Sequence, residues 1–469
     1  AKTDTHWSRD WGPDLTFDSL GAGGILDFTF NGYPHVPGCG STGIGSMYGS
    51  FTNDDNVNAK VANALGWPLR SIPCYFTGGN NMVDGINTAI SSRLMLDENA
   101  SHSIDSATFR NHLKKSCGIT NYYFVDNPER NGIQHIDCFA KLLDEETMLV
   151  KQVASGNPDY SCVEHLADQI KALKSCYGRP YKIVRILAGE YSGGDVAAYT
   201  NSIIVNKKVY VPLFNISTDQ KALETFRSAM PGYTVTGYPY NGQWFYYDAL
   251  HCRVMGIFDR QMLRITHRSL DSAINAPSDI AIRAAVEAAS AKGLIAEKCL
   301  LKWRVKGATS WESVALTKTN TPDSMAANIP KQPSNTVLEY YLQAADSSGR
   351  TATLPRSAPN WVFSFKILQG VPVVEKQFAG RQTLTIHFDI GQPYNSPVTF
   401  NLPRNSRVSF YITDVTGRMI CSLVDDASPD ERIVWNGRSG SGRSLSNGMY
   451  CAIMKTNTTV QVKKFLLTQ

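Results

Sequence analysis

No CxxC pair occurs among the ten cysteines, at 39, 74, 117, 138, 162, 176, 252, 299, 421 and 451, which argues against a structural zinc ribbon and against thioredoxin-like exchange. No apolar run approaches the ~18 residues that cross a bilayer, so no membrane-spanning helix is expected. Charge of one sign is scarce. The 46 Lys and Arg stand against 41 Asp and Glu, a net charge of +5, and no long basic run offers a nucleic-acid footprint. A calcium loop of EF-hand type is also missing. So is a leader: the chain starts Ala1-Lys2-Thr3-Asp4, with neither a charged n-region nor an apolar h-region, as expected if a signal peptide is cleaved upstream. What is present is 469 residues, 42% hydrophobic and 19% charged, which excludes a disordered polymer, a collagen-like repeat or a coiled coil. That length suits about two to four domains. Cysteines can pair if the protein is exported, although spacing fixes no connectivity.

A unit of strand, strand, helix, strand recurs through the first part of the chain. Ser202–Val205 and Val209–Val211 flank Asn206-Lys207-Lys208 as a hairpin. Thr218 then caps a helix with Ala222, Leu223, Phe226 and Ala229 at helical spacing, and Pro231-Gly232 stops it before the strand Tyr233–Thr236. The same order reads from Ile133 through a helix carrying Val163, Leu166, Ile170 and Leu173 to Lys182–Val184. It reads again from Met82 through Phe109 and Leu113 to Tyr122–Val125, and from Asp14 through Val57–Leu65 to Leu69–Cys74. Val254–Phe258 and Met262–Thr266 are expected to start a fifth unit. Four and a half units suggest a radial array whose missing half lies upstream of Ala1, so a clipped N-terminal fragment of the same protein is an expected partner. From 277 to 369, strands between Pro, Ser and Asn turns read as an immunoglobulin-like sandwich, and 370–469 as another all-β module. The expected domains are therefore 1–276, 277–369 and 370–469.

Each unit opens with a polar cluster: Trp7-Ser8-Arg9-Asp10-Trp11-Gly12-Pro13, Gly78-Gly79-Asn80, His135-Ile136-Asp137, Tyr199-Thr200-Asn201 and Asp248-Ala249-Leu250-His251-Cys252. Arranged around an axis, these bring one His, one Cys and two Asp into one pocket. A guanidinium is planar with five donors, which carboxylates at 10 and 137 can grip from opposite sides. Cys252 is then the nucleophile, attacking as a thiolate favoured by nearby positive charge, and His135 the general acid and base. Asn201 orients the site, Asn80 adds a polar contact and Trp7 packs on the substrate's methylene stem. Taken singly, each has a plainer reading. A cysteine is usually a small buried hydrophobe, His135 a satisfied core histidine, Asp10 a partner of Arg9, and Asn80 and Asn201 turn formers. Arg253 reads as structural. The constellation outweighs its parts, because Asp137 follows His135 at the i+2 spacing that keeps both on one side of a strand.

The set resembles the guanidino-group-modifying superfamily, and most closely the Porphyromonas-type peptidylarginine deiminases. The resemblance implies a five-bladed α/β propeller of ββαβ units and metal-independent, cofactor-free hydrolysis of arginine to citrulline and ammonia. It implies the catalytic set Cys252, His135, Asp137, Asp10 and Asn201, with Trp7 and Asn80 lining the substrate. The pattern departs at one place. Where the secreted bacterial deiminase carries Arg-Pro-Arg to hold the free carboxylate of a terminal arginine, this chain has Gly32-Tyr33-Pro34-His35; an aromatic contact before the His-x-Asp motif is replaced by Gly132. Internal arginines of peptides or proteins are thus the expected substrates. In the last module, Asp414-Val415-Thr416-Gly417-Arg418, Trp435-Asn436-Gly437-Arg438 and Gly448-Met449-Tyr450 resemble type IX secretion sorting domains, which implies contact with that machinery and a secreted or outer-membrane-attached protein. The alternatives are a deiminase of agmatine or free arginine, which shares the Arg-Asp-x-Gly-Pro form of residues 9–13, and a non-catalytic surface binding protein.

Overall fold

The hairpin at 203–213 shows how the repeated unit is built. Ile203–Val205 pairs antiparallel with Lys208–Leu213 around Asn206 and Lys207, both with positive φ (47° and 63°). That is the backbone of a tight hairpin whose twist matches its strands. Asp219–Ala229 follows as a helix burying Ala222, Leu223 and Phe226, and Thr234–Pro239 returns parallel to Lys208–Leu213. Thr218 sits at the helix start, but its hydroxyl bonds the Tyr199 hydroxyl at 2.8 Å instead of capping. The carboxylate of Asp219 instead gathers the N–H groups of Phe214, Asn215 and Ile216 in the loop before the helix.

In this computed structural model the described residues are 2–368, except 19–20, 35–37, 41–42, 46, 49, 131, 193–194, 241–243, 245–247, 275, 277 and 322, together with 385–387, 398–401, 407–414, 417–427, 432–446, 448–456 and 460–467. The chain forms two compact units, 1–371 and 372–469. Three more sheets repeat the antiparallel-then-parallel pairing. They join Asp14–Phe17, Gly23–Thr29 and Leu69–Tyr75; Met82–Val83, Thr88–Ser92 and Asn121–Val125; and Ala140–Leu142, Thr147–Gln152 and Lys182–Leu187. Successive units pack on each other in chain order. Leu26, Phe28 and Ile72 meet Ala89, Phe109 and Tyr122; Met82 and Ile90 meet Val150, Val163 and Ile170; Leu149 and Ile186 meet Val209, Val211 and Phe226.

The expected fifth unit does not start where the sequence suggested. Val254–Phe258 forms no strand, and Leu263–Thr266 pairs antiparallel with Ile280–Ala288, so it belongs to a sandwich sheet. The reason is burial: Ile265 joins Ile282, Val286 and Leu301 in the sandwich core. Among the described residues the repeat therefore stops at four three-stranded sheets, and no sheet closes on itself.

The β-region that follows has two sheets. One orders Leu263–Thr266, Ile280–Ala288, Ser324–Ile329 and Thr317–Lys318; the other contains Ala273–Ile274, Phe363–Ile367, Val337–Ala345, Leu300–Val305 and Glu312–Ala315, with Thr351–Leu354 also on Val337–Ala345. Arg179 ties this region to the repeats. It binds both carboxylate oxygens of Glu146 (2.7 and 2.6 Å) and the carbonyl and hydroxyl of Ser269 (2.8 Å each). In the second compact unit, a four-stranded antiparallel sheet runs Met419–Ala427, Val408–Asp414, Gly448–Thr456, Val460–Leu467, and Trp435 of a three-stranded sheet packs on its Tyr450 and Phe465.

One disulfide, Cys39–Cys162, links the segment after the first unit's second strand to the helix Tyr160–Ala172, across 123 residues of chain. Cross-linking a loop of that length removes much of the entropy of the unfolded chain. Replacing Cys39→Ser is expected to cost about 2–5 kcal/mol, read as a lowered midpoint in urea for the oxidised protein; an unchanged midpoint would sink this account.

Candidate active site

The five polar turns sit two to four residues ahead of a strand in the four repeats, at Asp10, Asn80, Asp137 and Asn201, and at Cys252 in the turn after the last. They are joined by a ring of hydrogen bonds. Asp10 Oδ1 accepts the Gly79 N–H at 3.1 Å, and Asn80 Oδ1 accepts the Ile136 N–H at 3.2 Å. Asn201 Nδ2 donates to Asp137 Oδ2 at 3.0 Å, while its Oδ1 accepts the N–H groups of His251 (2.9 Å) and Cys252 (3.2 Å). The Arg9 N–H closes the circuit on the Cys252 carbonyl at 3.1 Å. Buried polar groups must be paired, and here each turn satisfies the next.

The ring brings the sequence-derived residues together. Asp10, His135, Asp137, Asn201 and Cys252 are each 3% exposed or less. Gly79 marks the centre: a Cβ there would stand 2.5 Å from Asp10 Oδ1, 2.9 Å from His135 Nδ1 and 3.4 Å from Asp137 Oδ2. Glycine is the residue that leaves this space open. Cys252 Sγ lies 3.1 Å from Asn201 Nδ2 and 3.8 Å from Asp137 Oδ2. His135 Nδ1 is 3.6 Å from Asp10 Oδ1, beyond hydrogen-bond length, and is buried without a hydrogen-bond partner among the described residues. Asn80 holds the ring, its Oδ1 taking the Ser92 and Ile136 N–H groups, and its Nδ2 has no hydrogen-bond partner among the described residues. Trp7 is half-buried and meets Tyr33 edge-on, centroids 5.2 Å apart.

Three contacts were not foreseen. The Tyr33 hydroxyl donates to Asp10 Oδ2 at 2.8 Å, His251 Nδ1 lies 2.7 Å from Asp137 Oδ2, and the Cys138 thiol sits 3.5 Å from Asp137 Oδ1. Tyr33 belongs to the stretch singled out for lacking arginines, and His251 and Cys138 are each next to a candidate catalytic residue, so adjacency was the available signal. Arg9 and Lys141, both beside Asp137 and Cys252, are two further buried cations of the site. His35 lies outside the described residues. Gly132 has φ +124° and a Cβ there would press on Glu129, so a side chain is excluded at that position. Arg253 holds Asp248 through two hydrogen bonds (2.8 and 2.7 Å) beneath the rings of Tyr240 and Trp244.

Burial weighs on each titratable group of the site. Burial, then the neighbouring Asp137, raises the Asp10 pKa well above the carboxylate range, against the Tyr33 and Gly79 hydrogen bonds. Burial also raises Asp137, opposed by Lys141 and Arg9. For Cys252, the hydrogen bond from Cys138 pulls down, yet burial and the carboxylates of Asp137, Asp10 and Asp248 leave the thiol at about 11. Burial holds His135 down at about 3. At neutral pH the thiol and imidazole are therefore uncharged, and a cation placed between the two carboxylates favours ionisation of all three acids.

A family described as Porphyromonas-type peptidyl-arginine deiminase matches residues 1–257. A protein assigned as an agmatine deiminase in Yersinia pseudotuberculosis is 23% identical over 269 residues, 50% of this chain and 70% of that protein. Among solved structures, one assigned as an arginine deiminase from Porphyromonas gingivalis is 23% identical, with 54% of this chain and 75% of that chain covered and a TM-score of 0.45. The agmatine deiminase of Enterococcus faecalis is 19% identical, covering 52% and 73%, with a TM-score of 0.45. With the match spanning more than half its length, the chain belongs to the Porphyromonas-type peptidyl-arginine deiminase family, hydrolases of amidine C–N bonds.

Proposed function

We propose that this protein hydrolyses the side chain of arginine within peptides or proteins to citrulline and ammonia. The observation that carries the reading is the convergence of Asp10, Asp137, His135 and Cys252 around the gap that Gly79 keeps open. A guanidinium entering there exchanges the Tyr33 hydroxyl and the His251 imidazole for its own N–H groups on the two carboxylates. Its charge lowers the cost of forming the thiolate. The thiol proton passes to neutral His135, Sγ bonds to Cζ, and His135 returns the proton to the departing nitrogen, which leaves as ammonia. His135 then takes a proton from water as the hydroxide adds to the thiouronium carbon. The C–S bond breaks, His135 returns its proton to sulfur, and the hydroxyl proton is lost to solvent, where ammonia takes it up as ammonium, as the carbonyl of citrulline forms. Asn201 holds the sulfur and one carboxylate at fixed separation throughout.

Internal arginine is the substrate on this reading, because Gly32-Tyr33-Pro34 supplies no cation for a free carboxylate. The five turns joined in a ring support the five-bladed propeller as the arrangement of the units, which remains part of the proposal. The Cys39–Cys162 disulfide supports an oxidising compartment. With the sorting-domain resemblance of the C-terminal module, we read the protein as secreted or attached at the outer surface, delivered by type IX machinery. The immunoglobulin-like character of the middle region and its boundaries belong to the same proposal.

Two measurements test this. Citrulline formation is measured on an internal-arginine peptide, a C-terminal-arginine peptide, free arginine and agmatine, with Cys252→Ala as blank. The expected result is preferential turnover of the internal peptide and none by the variant. Preference for the terminal peptide would overturn the missing clamp, and turnover of agmatine alone would move the enzyme to small amines. The second measurement is alkylation of Cys252 by neutral iodoacetamide without substrate. With the thiol at about 11, the rate should climb about tenfold per pH unit between roughly pH 7 and 10. A plateau below pH 8 would show instead a thiolate already formed at rest.

A further inference from the structure

We propose that Asp137, Cys138 and Cys252 form a binding site for a thiophilic divalent cation of the Zn2+ or Cd2+ class, and that this cation competes with the substrate's guanidinium. The ligand atoms of these three buried residues all lie within 4.8 Å of one another. Cys138 Sγ lies 3.5 Å from Asp137 Oδ1 and Cys252 Sγ 3.8 Å from Asp137 Oδ2. A tetrahedral centre with metal–sulfur bonds of about 2.3 Å and metal–oxygen bonds of about 2.1 Å has sulfur–oxygen edges of roughly 3.6 Å. Each sulfur thus stands near ligating separation from one of the two Asp137 oxygens, and one ligand atom from each of the three residues falls within 4.8 Å of the others before any ion arrives.

The surroundings of the triad suit the ion. His251 Nδ1, 2.7 Å from Asp137 Oδ2, supplies the outer hydrogen bond that orients a ligating carboxylate. Asn201 Nδ2 bridges Asp137 and Cys252, holding two of the ligands in place. The buried Nδ1 of His135, without a hydrogen-bond partner, faces the same space around Gly79 as Asp137 Oδ2. A fourth position is left for water. Binding forms two metal–sulfur bonds and one metal–oxygen bond, and each thiol that ligates gives its proton to solvent. No electron transfer is involved. The cation then occupies the nucleophile and one guanidinium-gripping carboxylate together, so substrate and metal exclude one another. The competition rests on the reading of Cys252 as nucleophile; the metal site itself does not.

Cadmium titration of the full chain, followed by the ultraviolet thiolate-to-cadmium band, separates the two. The expected result is a saturable band at one equivalent, reduced by about half in Cys138→Ala and in Cys252→Ala. In the same samples Zn2+ should raise the apparent KM of the wild-type enzyme, and Cys138→Ala should need at least tenfold more Zn2+ for the same fractional inhibition of its own uninhibited rate. Mg2+ should do neither. A cadmium band and zinc sensitivity unchanged in Cys138→Ala would overturn the site. Should that variant not fold, peptide mapping of the wild-type protein decides: Cd2+ must protect both Cys138 and Cys252 from alkylation, and protection of Cys252 alone is a refutation. A band in a protein that turns over no guanidino substrate would leave the metal site standing and remove the proposed function.

Discussion

A circuit of hydrogen bonds, Asp10 to Gly79, Asn80 to Ile136, Asp137 to Asn201, Asn201 to Cys252 and Cys252 back to Arg9, is the constraint on which the rest of this structure depends. Every participant except the half-buried Arg9 is buried, so most unmade bonds would leave a dry donor or acceptor. The units can then differ in sequence and in helix count, one having two helices where the next has one, and still present their turns to one another. Residues far apart in the chain reach the same few ångströms because the ring fixes the turns that carry them.

The same burial that makes the ring obligatory shapes the chemistry. Two carboxylates, a thiol and an imidazole share a space from which water is largely excluded, with Arg9 and Lys141 as the buried cations beside Asp137 and Cys252. Burial disfavours charge on Asp10, Asp137 and Cys252, and Arg9 and Lys141 offset part of that for Asp137. Tyr33 and His251 occupy the carboxylates in the meantime, which keeps the buried oxygens paired. On the proposed reading the Cys252 thiol rests uncharged and ionises with the help of the charge that binds beside it.

Much of this was readable before any coordinates. Asn206-Lys207 between β-branched runs declared its hairpin, and Val163, Leu166 and Ile170 declared a buried helix face. The polar clusters ahead of each unit's first strand were legible because such clusters interrupt apolar patterns at a regular place. Pairing partners were not. Leu263 and Ile265 alternate as they would in either sheet, and only the sandwich core decides which one they join. Thr218 had the right side chain for a cap, but a competing hydroxyl on Tyr199 took it. Tyr33, His251 and Cys138 escaped notice for a related reason: their roles depend on a neighbour brought in by the fold, which their own local sequence does not encode.

The disulfide has a topological consequence. Residues 39 and 162 enclose Gly79, Asn80, His135 and Asp137 in one covalent loop, while Asp10, Asn201 and Cys252 lie outside it. Half of the cluster is therefore stapled and the other half is attached through the ring. A single peptide-bond cut anywhere between those cysteines leaves both pieces on one molecule, with the cut ends still held near their original places. A protein built this way tolerates nicking by proteases in the segment that carries His135 and Asp137, whereas a cut between 162 and 252 leaves the nucleophile joined to them by non-covalent forces alone.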